Sequence, residues 1–155
     1  MTYHIIWTTY GTWLPGDRRG WVQKKKPGIQ DPDPKREEGA RITMAESAIV
    51  LNAVQRSIVD ETIHTHCEIR DWSLHALNVR SNHVHVVLTA DRAADDVVRQ
   101  LKAWCSRNLS DDAGLETQVA AKAGRRRWFT EGGEAKVIDS EEYLENAIHY
   151  VMELQ

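Results

Sequence analysis

The chain has 155 residues, 41% of them hydrophobic and 28% charged, with a formal net charge of −3. That length suits one domain, 1–155, with a core large enough to fold without staples. No run of about 18 apolar residues excludes a membrane-spanning helix, and the N-terminal MTYHIIWTTY lacks the basic start and long apolar stretch of a secretory leader. A soluble, cytoplasmic protein is therefore expected. Its two cysteines, Cys67 and Cys105, lack CxxC spacing and read as buried, reduced thiols. An acidic total counts against a nucleic-acid partner. However, Lys24 to Lys26 and Arg125 to Arg127 concentrate positive charge locally, where phosphates can still bind.

In chain order, residues 3–9 are β-branched and aromatic and predict a strand. Residues 15–41 hold all four prolines, four glycines and many charges, which predicts a long flexible loop. Thr43 and Glu46 have capping-box spacing, and Val50, Leu51, Val54 and Ile58 recur at helical spacing to about Ile63. Residues 69–79 and 83–89 read as the two strands of a hairpin, with Ser81 and Asn82 at the turn. A helix is expected over 94–109, with Val97, Leu101, Trp104 and Cys105 as its apolar stripe. Residues 128–138, broken by Gly132-Gly133, predict a strand or small hairpin. The last helix is expected to start near Asp139, with Asp139 and Glu142 as its cap, and to run to the C-terminus. The predicted fold is α+β, a single antiparallel sheet with helices mainly on one face.

The sharpest chemical feature is Ser81-Asn82-His83-Val84-His85-Val86-Val87. Side chains alternate along a strand, so His83 and His85 share a face while Val84 and Val86 enter the core. Two imidazoles side by side can share one cation and leave positions for oxygen ligands such as a phosphate. Structural histidines on a solvated face, or a zinc site, satisfy the same pattern, although no HExxH or acidic partner motif is present. On the terminal helix, Leu144, Ala147, Ile148 and Val151 line one face, and Tyr143 and Tyr150 flank it seven residues apart. A tyrosine hydroxyl is a weak nucleophile unless a metal or base assists it.

Asn82-His83-Val84-His85-Val86-Val87-Leu88, followed by a helix carrying Tyr150 near the C-terminus, resembles the HUH motif and layout of the single-tyrosine transposases. More narrowly, it resembles the REP-associated tyrosine transposases and related insertion-sequence transposases. The resemblance implies a ferredoxin-like, HUH-type fold whose C-terminal helix carries the tyrosine. It also implies His83 and His85 as ligands of Mg²⁺ or Mn²⁺, and Tyr150, rather than Tyr143, as the nucleophile. The expected activity is cleavage and rejoining of single-stranded DNA through a 5′-phosphotyrosine intermediate, with single-stranded or hairpin DNA as partner and a homodimer as one arrangement. The family's third ligand, one turn after the tyrosine, falls here on Leu154, which cannot coordinate. Gln155 beside it, or Glu153, would have to substitute, and the Asn-Pro that often follows the tyrosine is missing. That departure keeps two alternatives open: a catalytically impaired DNA-hairpin-binding protein, and a small metal-dependent phosphodiesterase. For DNA contact the candidates are Arg99, Lys102 and Arg107 on the 94–109 helix, Arg125, Arg126 and Arg127 with Trp128 as a stacking ring, and Trp13 at the mouth of the long loop.

Overall fold

The first strand, β1 (Thr2–Thr8), is sorted by alternation: Tyr3, Ile5 and Trp7 are buried on one face, and His4, Ile6 and Thr8 take the other. The structure is a computed structural model and describes residues 1–12, 21–23, 26–43, 48–114 and 127–153.

The stretch expected to be an irregular loop instead contains a two-stranded ribbon and a helix. Strands β2 (Trp21–Gln23) and β3 (Lys26–Gln30) pair antiparallel, and α1 (Pro34–Thr43) follows. Asp33 caps that helix, its Oδ1 accepting from Arg36 N at 3.1 Å, and Pro34 occupies the first helical position. Proline lacks only an N–H that would be unpaired there anyway. Charged i,i+3 and i,i+4 pairs from Arg41 to Glu38 and Glu37 support the helix. None of this leaves an apolar period, which is why composition alone suggested a loop.

Helix α2 (Ala53–Arg70) begins later than expected. Of the pair Thr43 and Glu46, Thr43 ends α1 and Glu46 lies outside the described residues. The box is Asn52 with Gln55: Asn52 Oδ1 accepts from Gln55 N at 2.8 Å, and Gln55 Oε1 accepts from Asn52 N at 2.9 Å. Leu51 precedes the helix as a buried anchor whose N–H donates to Ser81 O. Asp71 ends α2 in the left-handed region (φ 58°), its N–H reaching Cys67 O and Glu68 O. Ile69 is therefore helical, and the next strand, β4 (Ser73–Val79), starts after Trp72. Strand β5 (His83–Thr89), α3 (Ala94–Asp112) and β6 (Glu134–Ile138) follow, then α4 (Glu141–Glu153). Ser140 caps α4 through its Oγ, which accepts from Tyr143 N at 3.1 Å. Asp139 sits one residue too early to do so.

The main sheet has the order β4-β5-β1-β6 with every pair antiparallel. Counting only its four strands, that is the βαββαβ arrangement of a ferredoxin-like fold. Helices α2 and α3 cover one face, where Val59, Ile63, Val97, Leu101 and Leu109 pack on Tyr3, Ile5, Trp7, Val84, Val86 and Leu88. Trp104, expected in that stripe, is 43% exposed instead. Gly133 touches the first strand: a Cβ there would lie 3.2 Å from Ile6 O and 3.3 Å from Val98 Cγ1, so a larger residue at the turn into β6 would press on both. The opposite face is covered by α4, which buries Ala147 and Val151 against Ala76, Val87 and Ile138.

Candidate active site

Strand register lays the α4 face out in rows. Opposite His85 lie Asn78 on β4 and Ile6 on β1, followed by Glu134 on β6. The row on one side of it places Ala76, Val87, His4 and Lys136 side by side, and the row on the other side places Thr8 beside His83. His83 and His85 share this face as the alternation predicted, their ring centroids 4.9 Å apart at 77°. His83 Nδ1–H donates to Asn82 Oδ1 at 2.6 Å.

Tyr150 projects from α4 toward the same spot. Its ring centroid is 6.1 Å from that of His85 and 6.2 Å from that of His4, and the residue is 55% exposed. The apolar face that the helical period predicted seats this helix, and Asn78 Nδ2 donates to Val151 O at 2.9 Å beside the tyrosine.

His4 is the site residue that sequence reasoning missed. Its Nε2 lies 3.3 Å from His85 Nδ1, and both residues are buried. The signal was present: His4 is the polar residue of the first strand that alternates away from Tyr3 and Ile5. What was missing was that β1 would pair directly with β5. Burial, then the charges of His83, His4 and Arg80, pull the His85 pKa from 6.5 down to about 4. Burial, then Lys136, lowers that of His4, with Glu134 opposing. Both rings are thus held neutral near pH 7, the form in which an imidazole can ligate a metal.

Among the described residues no group of three or more His, Cys, Asp or Glu is arranged around a common metal position. The pair fits a cation that takes two nitrogens and completes its shell with oxygens from elsewhere. Leu154 and Gln155 lie outside the described residues. Glu153 directs its carboxylate to His149 (3.4 Å), with both side chains exposed.

The remaining candidates separate. Trp13, Arg125 and Arg126 lie outside the described residues. Arg127 places its guanidinium 6.0 Å from the ring centre of Tyr10, just past the His83 end of β1. Trp128, expected to stack on a base, is instead a core residue at 3% exposure, its Nε1–H donating to Ser110 Oγ. Lys102 Nζ is half-buried and donates to the carbonyls of Thr130 and Gly132 at 2.5 and 2.6 Å. Arg107 sits 5.2 Å over Trp104, and Arg99 hydrogen-bonds to Asp96. All three belong to α3, on the face opposite the histidines.

The model of the IS200-like transposase family matches residues 42–153. No curated protein matches the chain. Among solved structures, a REP-associated tyrosine transposase bound to a REP hairpin aligns with a TM-score of 0.52 at 12% identity, over 97% of this chain. The chain spans 63% of that protein's length. A candidate transposase from Deinococcus radiodurans R1 aligns at 17% identity and a TM-score of 0.49, over 98% of this chain and 88% of its own. The fold is therefore that of the tyrosine transposases, a ferredoxin-like sheet with an additional helix over its second face. The chain belongs to the IS200-like transposase family, whose members are enzymes that act on DNA.

Proposed function

We propose that the chain cuts and rejoins single-stranded DNA, with Tyr150 as nucleophile and His83 and His85 as the ligands of a Mg²⁺ or Mn²⁺ ion. The observation that carries this reading is the 6.1 Å approach of the Tyr150 and His85 ring centroids, which brings the phenol to the sheet face that carries both histidines. Bound there, the ion would polarise the scissile phosphate and offset the charge that grows on it. Tyr150 attacks phosphorus with its hydroxyl oxygen, so the Tyr O–P bond forms as the bond to the 3′ oxygen breaks. The phenolic proton is given up and the departing oxygen takes one, leaving a 5′-phosphotyrosine and a free 3′-hydroxyl. The phosphodiester bond energy is kept in the adduct, so another 3′-hydroxyl can reverse the step and join new ends. Tyr150 is open to a substrate, with over half of its surface exposed.

The solved neighbour carries a hairpin, which supports a hairpin next to the cleaved strand as the partner of this chain as well. Catalytic impairment is the rival reading. It draws on Leu154 at the position of the expected third ligand and on the pairing of Glu153 with His149. One experiment separates the readings. A labelled hairpin oligonucleotide with a single-stranded flank is incubated with the protein in Mn²⁺ and run on a denaturing gel. A covalent adduct that disappears in Tyr150→Phe is the expected result. An adduct surviving that change moves the nucleophile to Tyr143. Cleavage without an adduct makes the protein a phosphodiesterase, and binding without cleavage makes it an impaired binder.

A further inference from the structure

The contact between His4 and His85 constrains protons as well as positions. His4 sits diagonally across β1 and β5 from His85, opposite Val87, and its ring leans over to close the gap to 3.3 Å. Diagonal neighbours on a sheet lie about 7–8 Å apart at the backbone, so only long or aromatic side chains meet this way. Two neutral imidazoles that meet nitrogen to nitrogen share one hydrogen, and it can belong to either ring. If His4 Nε2 carries it, His85 must keep its own proton on Nε2, and that nitrogen cannot ligate. If His85 Nδ1 carries it, Nε2 of His85 presents a bare lone pair. On His83 the hydrogen is placed by another group: its Nδ1 faces an amide oxygen that can only accept, so the hydrogen of the neutral ring sits on Nδ1.

We propose that His4 is a positioning residue: it accepts the Nδ1–H of His85 and so turns the Nε2 lone pair of His85 to the same side as that of His83. The proposal rests on the metal reading of the pair but concerns a property of the metal-free protein. The two ligand nitrogens are then matched by two different acceptors, a side-chain amide for His83 and an imidazole for His85. An outer partner of this kind fixes both the tautomer and the plane of a ligand ring. The His4, His85 and Tyr150 rings stand at the corners of a nearly equilateral triangle, with centroids 5.5, 6.2 and 6.1 Å apart, so the His4 ring also packs beside both.

The test is ¹⁵N–¹H correlation of the histidine rings in metal-free, ¹⁵N-histidine-labelled protein at neutral pH. The expected result is His85 as the Nδ1–H tautomer in the unaltered chain. In His4→Phe it should revert toward the Nε2–H form that free histidine favours in water. His4→Gln, whose amide oxygen can accept the same hydrogen, should retain the Nδ1–H form. Mn²⁺ affinity, read by electron paramagnetic resonance, should fall about tenfold in His4→Phe and recover in His4→Gln. His85 found as Nε2–H in the unaltered chain overturns the proposal without any variant having to fold, and so does an Nδ1–H form that persists in His4→Phe. Failure of the metal reading looks different: Mn²⁺ binding would then be indifferent to His85→Ala, while the tautomer measurement would stand.

Discussion

Asn78 offers a direct way to test whether the seat of α4 sets the activity. Val151 lies in the last turn of that helix, where the final four carbonyls have no partner within the helix. The amide of Asn78 supplies one from the neighbouring strand at 2.9 Å. Removing the donor in Asn78→Ala should cost about 1 kcal/mol, or about fivefold in the equilibrium that seats the helix end. Asn78→Asp is more severe. A carboxylate would face both the carbonyl and the negative end of the helix dipole, which raises the cost to about 2 kcal/mol, or about thirtyfold. Because α2 and α3 pack on the other face of the sheet, their stability should change little. The assay pairs amide hydrogen exchange with the single-turnover rate of adduct formation on a hairpin oligonucleotide. Exchange in α4 should speed up in the order wild type, Ala, Asp, and adduct formation should slow in that order. If Ala and Asp are indistinguishable, or α2 and α3 lose as much protection as α4, the reasoning is wrong.

Acid should destabilise the fold through His85. Its folded pKa lies near 4 and its unfolded value near 6.5, so the unfolded chain takes up the proton first and stability falls as pH drops between those values. The loss should reach up to about 3 kcal/mol at the lower end, and the urea midpoint of the wild type should fall relative to that of His85→Phe as pH drops. Lys102→Met should cost about 1–2 kcal/mol in urea unfolding, because two carbonyls lose their charged donor, and should leave hairpin affinity intact. A tenfold fall in affinity with unchanged stability would make Lys102 a phosphate contact after all. His85→Ala mixed with Tyr150→Phe should form no adduct, because the ring contacts of the site are made within one chain. Activity in that mixture would show subunits that share sites.

The shared face of His83 and His85 was legible because period-two alternation is strict: once that segment is a strand, the two residues must lie on one side of it. Tyr150 was legible from the opposite rule, the apolar helical stripe that leaves it at the flank. His4 was not, because its partnership depends on which strand lies next to which, and no local pattern encodes that. Helix α1 escaped for a different reason. It is stabilised by a cap and exposed ion pairs, so it carries no hydrophobic period. Trp128 was misread because an aromatic beside a run of arginines looks like a stacking surface. Its burial comes from distant residues, among them Ser110. The arginines and lysine of α3 looked like a groove-facing stripe, yet the helix lies on the side of the sheet away from the histidines.

Strand β5 has one consequence for how such a protein can change over time. Val84, Val86 and Leu88 are fully buried beneath α2 and α3, and the two imidazoles occupy the intervening positions on the reverse side. A single inserted or deleted residue within those seven would reverse the alternation on one side of it, exchanging core and ring-bearing positions there unless a bulge absorbed the change. A change of length in this strand thus touches the core and the two histidines together, whereas a point replacement at either histidine leaves the buried valines in place.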